Sequence, residues 1–158
     1  MFRQLRRIKQ QLPKEVCINV LKSEVRGVLS VLGDDDYPYG VPINFYYSQD
    51  NNKIYFHGSR EGHKIDAIKN HDKVSFCVYD KGTQIEGKRG LDYKSVIVFG
   101  RIKILEDREK TINIVREFAE QFNFEKRYID DEIKKFAKFV TVLELTPEHI
   151  CGKTVNES

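Results

Sequence analysis

The chain has 158 residues, of which 40% are hydrophobic, 32% charged and 11% aromatic, so it is neither disordered nor of low complexity. This length suits one domain, spanning residues 1–158, and the formal net charge of +3 is too small to indicate a nucleic-acid-binding protein. No apolar stretch approaches the ~20 residues of a membrane span, and no apolar run follows the basic start to form a secretory signal. The three cysteines are an odd number and lack a CxxC motif, which is typical of free thiols in a cytoplasmic protein.

The first half of the chain alternates apolar segments with turn residues, which predicts strands joined by tight turns. Pro13 tolerates the first position of a helix, and it is followed at helical spacing by Val16, Val20 and Leu21. Three strands are expected next, over Arg26–Leu32, Tyr39–Ser48 and Lys53–His57. A short helix is expected over residues 62–70.

Three further strands are predicted in the second half of the chain. Lys73–Tyr79 and Lys94–Leu105 alternate with a period of two, and Gly100 indicates a bulge or bend in the longer one. The last strand is expected over Phe139–Leu145 and is predicted to end at Pro147.

A helical insertion of about residues 107–137 separates the last two strands. Asp107 is expected to cap its first helix, whose apolar stripe is predicted to be Ile112, Val115, Ala119 and Phe122. Residues 125–137 are expected to form a second helix.

Six strands with short helices between them predict a mainly β protein with peripheral helices. Strands joined by tight turns pair antiparallel, and a small antiparallel sheet with apolar residues on both faces closes most economically into a barrel. The regular strand–helix alternation of a doubly wound sheet is absent.

Residues 54–68, IYFHGSREGHKIDAI, form the segment that most favours binding. A strand leads through the loop Gly58–Gly62 into a helix, whose first N–H groups have no partner within the helix. The Ser59 hydroxyl and the charges of Arg60 and Lys64 favour an anion at this point. The spacing is not that of a Walker A loop, and a solvated surface turn explains the same residues equally well.

The segment YPYGVPINF, residues 37–45, carries a second signal. Pro42 has no N–H for a ladder, so it is predicted to interrupt the strand and leave backbone groups free for a flat ligand with polar edges. An ordinary edge-strand proline is the simpler alternative. His57 shares a strand face with Tyr55, and the histidines and cysteines lack metal-ligand spacing, so we expect no metal.

Five segments occur together in a characteristic order: the basic start through Gly27–Ser30, YPYGVPINFYY, IYFHGSREGHKID, YKSVIVFGRIKILED and ICGKTV. In this order they resemble the pyridoxamine 5′-phosphate oxidase-related FMN-binding split barrels, and most closely the 5-nitroimidazole resistance branch. The resemblance covers nearly the whole chain. The chain departs from the pattern of that branch at position 63, which is often Lys there and is His in this chain.

The resemblance implies a six-stranded split barrel that forms a homodimer with FMN at the subunit interface. The implied cofactor-binding residues are Pro42, Ile43, Asn44, Phe45, His57, Gly58, Ser59, Arg60 and Lys64 of one chain, with Ser95 and Val96 of the partner subunit. His57 takes the position of a histidine that this branch places near the substrate and the redox centre, so it is the implied catalytic residue.

The function implied by the resemblance is an FMN-dependent reduction of small electron-poor substrates such as nitroimidazoles. Three alternatives stay open: a pyridoxamine-phosphate oxidase-like enzyme, a non-catalytic module that binds flavin or haem, and a small β-barrel interaction protein without a cofactor. Fold and cofactor do not determine the substrate.

Overall fold

The computed structural model describes residues 1–157 and is mainly β. Its strands are β1 (Arg26–Leu32), β2 (Pro38–Asn44), β3 (Tyr46–Ser48), β4 (Lys53–Gly58), β5 (Lys73–Tyr79), β6 (Thr83–Gln84), β7 (Leu91–Ile104) and β8 (Thr141–Val155). Its α-helices are α1 (Lys14–Ser23), α2 (His63–Asn70), α3 (Arg108–Glu120) and α4 (Lys126–Phe136). Within this described part of the chain, no helix is both long and apolar enough to cross a bilayer.

The strands form one antiparallel sheet in the order β2-β1-β5-β7-β8-β4-β3, with the short β6 paired to β7 outside this path. The two ends of the path, β2 and β3, are separated in sequence by Phe45 alone. The chain therefore passes from one sheet edge to the other through a single residue, which requires the sheet to curl into an open half-barrel. The predicted antiparallel, mainly β class is confirmed, but the expected count of six strands is wrong.

The additional strands arise at Phe45 and in the loop after β5. The predicted strand Tyr39–Ser48 is divided because the Phe45 N–H donates to the Val25 carbonyl at 3.1 Å, while the Phe45 ring turns into the core beside Phe76, with centroids 4.9 Å apart. The second addition, β6, has two exposed polar residues, so no apolar alternation marked it in the sequence.

The last strand continues past Pro147, where the sequence predicted its end. The register between β7 and β8 shifts between Phe99 and Gly100, so that Glu148 is the extra residue of a bulge. Pro147, which has no N–H to donate, lies beside this interruption of the ladder, where a proline is tolerated. A side chain on Gly100 would begin 2.2 Å from the Thr146 carbonyl oxygen, which explains the glycine at the predicted bulge.

The inner face of the half-barrel holds the main hydrophobic core. Helix α1 contributes Cys17, Val20 and Leu21, and α2 contributes Ile65, Ala67 and Ile68, so both helices pack against the curled sheet. The largest fully buried strand side chains in this cluster are Phe45, Phe56, Phe76, Leu29, Ile54, Leu143 and Leu145.

Helices α3 and α4 lie between β7 and β8, where the sequence predicted two helices; α3 packs on the outer face of the sheet and α4 packs on α3. The Asp107 side chain accepts a hydrogen bond from the Lys110 N–H at 3.1 Å, as its predicted capping role requires. The buried residues of α3 are Thr111, Ile114 and Phe118, so the predicted stripe is not the buried one, although its Val115 packs against the cluster that contains Tyr55 and Val142. Two stripes one residue apart are apolar in this helix, and periodicity alone does not distinguish the one that meets the sheet.

A buried carboxylate fastens α3 to the sheet. Glu144 on β8 lies 2.8 Å from the Lys110 ammonium and 3.4 Å from that of Lys103, and it accepts from the Tyr55 hydroxyl at 3.2 Å. Burial acts to raise the pKa of Glu144, but the contacts with Lys110 and Lys103 outweigh it and lower the pKa. Burial also raises the pKa of Tyr55 to about 12, so its hydroxyl remains a donor at neutral pH.

Candidate functional site

The loop after β4 leads into α2 through a residue that has no side chain. Gly62 is the N-cap of α2 with a φ of 121°, a conformation that strains any residue with a Cβ. Its carbonyl accepts from the N–H groups of Ile65 and Asp66 at 2.9 and 3.1 Å. Because glycine offers no capping side chain, the first N–H groups of the helix remain available for an external acceptor.

The polar groups of this loop and of the first residues of α2 are donors and cations, and we call residues 58–64 the anion loop. The Ser59 hydroxyl oxygen accepts from the Glu61 N–H at 3.3 Å, which leaves its own proton to be donated outward. The Lys64 ammonium lies over Gly58, 3.6 Å from the point where a Cβ on that glycine would stand. Arg60 is exposed next to Ser59. These groups together have the chemistry of a phosphate site.

His63, the first residue of α2, joins the start of this helix to β2. Its ring stacks on Tyr39 with centroids 4.2 Å apart, and its Nε2 accepts from the Asp34 N–H at 3.1 Å. The same nitrogen lies 3.7 Å from the Asp34 carboxylate. These contacts place the anion loop next to the edge strand of the sheet.

Strand β2 runs through Pro42 and does not break there. Pro42 is paired with Val28 within a ladder that extends to Asn44, so the predicted interruption at Pro42 is wrong and the edge-strand alternative is confirmed. Backbone groups of β2 are free because this strand ends the sheet order and has a partner on one side alone. The Arg26 Nε donates to the Asn44 Oδ1 at 2.8 Å and thereby orients that amide.

The remaining residues of this segment differ in their access to a ligand. Ile43 and Asn44 are half-buried, whereas the Phe45 ring lies fully inside the core. Its backbone is engaged as well, because the N–H donates to the Val25 carbonyl at 3.1 Å and the carbonyl accepts from the Gln121 amide at 3.4 Å. The ligand contact that the resemblance implied for Phe45 is therefore not available in this structure.

His57 lies on the outer face of β4, next to α3 and directly before the anion loop. Its ring meets Phe118 edge to face with centroids 4.5 Å apart, while another side of the ring is open to solvent. Burial lowers the pKa of His57, so the ring is neutral at pH 7 and carries one donor and one acceptor. The sequence interpretation that His57 shares a face with Tyr55 is confirmed, since both pair with β8 two residues apart.

Ser95 and Val96 on β7 are not next to the edge strand β2 of the same chain. Strands β1 and β5 separate β7 from β2, which amounts to three strand spacings, or roughly 14 Å. The Val96 side chain is fully buried in its own core. Ser95 is half-buried and lies on the outer face, paired with Tyr79 and Lys153.

The outer face around Ser95 is apolar, a feature that the sequence interpretation did not use. Ile97 and Phe99 are each 41% exposed, and Ile97 is paired with Cys77 on one side and with Cys151 on the other. The signal was present in the sequence, because β7 is apolar at consecutive positions and therefore on both faces.

Metal ligands are not clustered in the part of the chain that the structure describes. Among residues 1–157, no three His, Cys, Asp or Glu side chains lie close enough together to hold a metal ion. The three cysteines are free thiols, of which Cys17 is buried and the other two half-buried.

A sequence profile described as "Pyridoxamine 5′-phosphate oxidase" matches residues 13–154, which is nearly the whole chain. The chain belongs to the pyridoxamine 5′-phosphate oxidase family. The match includes the anion loop, strand β2 and both helices of the insertion. No functionally curated protein matches the sequence significantly.

Solved structures of this fold are similar to the chain at low sequence identity. A candidate 5-nitroimidazole antibiotic resistance protein from Bacteroides thetaiotaomicron has a TM-score of 0.76 and 17% identity, over 91% of this chain and 86% of that one. An FAD-binding protein from Mesorhizobium loti has a TM-score of 0.66 and 21% identity, over 93% and 98%. An FAD and heme binding protein from Mycobacterium smegmatis has a TM-score of 0.73 and 16% identity, over 94% and 74%.

Proposed function

We propose that this chain is a flavoprotein that binds FMN and reduces small electron-poor substrates such as nitroimidazoles. The observation that carries the proposal is the loop of Ser59, Arg60 and Lys64 at the open start of α2, held beside the sheet edge by the His63–Tyr39 contact. A dianionic phosphate and a flat ring need these two features side by side.

The phosphate end of FMN fits the donors of the loop. The Ser59 hydroxyl, the Lys64 ammonium and the first N–H groups of α2 would hold the phosphate, and Arg60 would add charge. A side chain at Gly62 would meet nothing within 4 Å, so space for the phosphate is available there. His63 is engaged with Asp34 and Tyr39, so Lys64 takes the main cationic role in this loop.

The ring of FMN would lie along the free edge of β2. Backbone groups along Pro42–Asn44 would face its polar edge, since this edge has no strand partner. The orientation of the Asn44 amide by Arg26 adds a directed side-chain group to this edge.

A homodimer would complete the site. The apolar outer face that contains Ile97 and Phe99 is suited to pack against a second copy of the chain. Ser95 lies on this face, so Ser95 of the partner subunit would approach the flavin through its side chain. Val96 is fully buried in its own chain and paired on both sides of β7, so we propose no flavin contact for it.

FMN, when bound, supplies the electron transfer, and the chain binds it, orients it and limits access to it. We assign to His57 the role of orienting the substrate or holding a proton for it, because the neutral ring lies directly before the loop and has one solvent-accessible side. The names of the FAD-binding structural neighbours from M. loti and M. smegmatis support a flavin as the cofactor.

Anaerobic photoreduction of the FMN-loaded chain, followed by addition of metronidazole, tests the proposal. We expect the absorbance of oxidised flavin to return faster than it does for free reduced FMN under the same conditions. Recovery at the rate of free FMN would contradict a reductase and leave a non-catalytic flavin module. Formation of pyridoxal phosphate from pyridoxamine phosphate, measured in parallel, would instead assign the oxidase activity for which the family is named.

A further inference from the structure

A cavity of about 330 Å³ lies between α3 and α4 on the outer side of the barrel, with His57 in its wall. Its volume is within the range of small-molecule sites, roughly 300–1,000 Å³. The residues that line it from the two helices include Ile112, Val115, Ala119, Ile129, Ile133 and Phe136. Three of these belong to the apolar stripe that the sequence predicted for α3 and that is half-buried in the structure.

The two helices leave apolar surface uncovered around this cavity. Ile129 is the one residue of α4 that is fully buried, and Tyr128 and Phe136 at the cavity are about half exposed. Arg116 on α3 and Asp130 on α4 form an ion pair that ties the helices together and so keeps the cavity walls in place. An apolar gap held between tied helices is suited to a ligand.

The lining selects against charged ligands. Of the described residues that form the wall, none is Lys or Arg, so an anion would lose its hydration without a counter-ion. The wall contains one acid, Glu132, whose carboxylate lies 3.6 Å from the Lys135 ammonium. Aromatic rings of Phe124, Tyr128 and Phe136 contribute to the wall and favour a flat aromatic body.

The size of the cavity favours a small molecule over a whole helix of a partner protein. One turn of an α-helix, about 10 Å wide and 5.4 Å long, takes up roughly 420 Å³, which is more than the cavity offers. A molecule of one or two fused rings is the suitable size.

Among the residues that the structure describes, the wall has four polar ones, of which His57 is the one that adjoins the anion loop; the others are Thr111, Tyr128 and Glu132. The ring of His57 is held by Phe118 at the cavity wall, and the residue that follows it begins the anion loop. A hydrogen-bonding group on the ligand that points to His57 therefore points towards the proposed flavin site.

We propose that the cavity between α3 and α4 binds an uncharged, flat aromatic molecule whose hydrogen-bonding group reaches His57. The binding claim stands on the cavity alone, whereas naming the bound molecule as the substrate of the flavin site rests on the proposed function.

Titration of the FMN-loaded chain with indole, followed by ¹H–¹³C methyl spectra, tests the proposal. We expect saturable shifts of the methyl signals of Ile112, Val115 and Ala119, while Leu29 and Val98 inside the barrel stay unchanged. Indole-3-acetate, which adds a negative charge to the same ring system, should bind at least tenfold more weakly. Shifts that do not saturate, or that spread equally to the barrel methyls, would overturn the proposal.

Substitutions that fill the cavity with a larger side chain provide a second test of the proposal. Ala119→Leu should weaken indole binding at least tenfold, whereas the matched control Ala119→Ser should change it less than twofold. Ala137→Leu and Ala137→Ser repeat the comparison from the opposite wall, in case the change within α3 prevents folding, which far-UV circular dichroism would reveal. Undiminished binding to a folded Leu variant at both positions would overturn the proposal.

The failure of this inference and that of the proposed function are distinguishable. Saturable indole binding by a chain that takes up no FMN would contradict the flavin proposal and support the cavity site. Normal FMN uptake without indole binding would overturn the cavity site alone. Changes of the cavity methyl signals on dilution, without indole, would assign the cavity to a second copy of the chain and also overturn the ligand proposal.

Discussion

Replacing Lys64 by alanine removes the ammonium group that lies over Gly58 at the start of α2. A charge-assisted hydrogen bond contributes about 1.5–3 kcal/mol, and each 1.4 kcal/mol is a factor of ten in affinity. The Kd for FMN should therefore rise roughly 10- to 150-fold. Lys64 is half-buried and lies beside the first N–H groups of α2. The expected increase in Kd therefore lies inside this range rather than near zero.

Quenching of FMN fluorescence during titration with the chain measures this Kd. Lys69→Ala is the matched control, because Lys69 is an exposed lysine in the last turn of the same helix. Its Kd should stay within twofold of the unmodified chain, and both variants should retain the same melting temperature. An unchanged Kd for Lys64→Ala, or an equal loss for Lys69→Ala, would refute the assignment of the phosphate to this loop.

Three further predictions concern His57, the outer face and the buried carboxylate. His57→Ala should leave the Kd for FMN within about threefold and reduce turnover of the flavin-loaded chain at least tenfold, as measured by stopped-flow absorbance. Ile97→Lys should convert a dimer into a monomer in light scattering, because it places a charge in the apolar outer face. Glu144→Gln should lower the free energy of unfolding in urea by about 1.5–3 kcal/mol at pH 7. The difference in unfolding free energy between the two chains should shrink as the pH falls below ~4.3, the pKa of a glutamate in the unfolded chain, and through the lower pKa of Glu144 in the folded chain. In this pH range the carboxylate of folded Glu144 gains a proton and loses its charge.

Each of these predictions has a result that contradicts it. Equal losses of FMN binding and turnover in His57→Ala would make this histidine a structural residue. Phe139→Lys removes an exposed apolar side chain outside the sheet and should keep the dimer, so dissociation of both variants would discount the outer face as the interface. A stability difference for Glu144→Gln that is independent of pH would mean that the Lys110 and Lys103 contacts do not depend on its charge.

Strand and helix positions with a strong local signal could be predicted from the sequence. The bounds of β1 and β5 agree with the sequence prediction to the residue, because β1 is an apolar run stopped by the turn residues after Leu32 and β5 alternates with a period of two. The Asp107 cap and the Gly100 bulge were also predictable, since each depends on the chemistry of one residue and its neighbours.

Features that depend on tertiary contacts could not be predicted in this way. The continuation of β8 through Pro147 depends on the register of β7 opposite it, which the local sequence does not contain. The choice between the two apolar stripes of α3 depends on where the sheet and α4 lie. The edge position of β2 follows from the curl of the whole sheet, so the free backbone groups near Pro42 were predicted for the wrong reason.

The candidate site was predictable in its loop and less so elsewhere. Ser59 and Lys64 lie together because a strand, a short loop and a helix bring them there, and these elements are all local in sequence. The stacking of His63 on Tyr39 joins residues 24 positions apart and had no sequence signal. The α3–α4 cavity results from two helices that leave apolar surfaces apart, which periodicity does not reveal.

Titration of the purified chain with FMN and with riboflavin, followed by flavin absorbance and by light scattering on the same samples, tests the central claim most directly. We predict saturation at one FMN per chain in a dimer, with riboflavin bound at least tenfold more weakly because it lacks the phosphate that the Ser59–Lys64 loop would hold. A monomer that leaves the FMN spectrum unchanged, or a chain that binds riboflavin as tightly as FMN, would contradict the account.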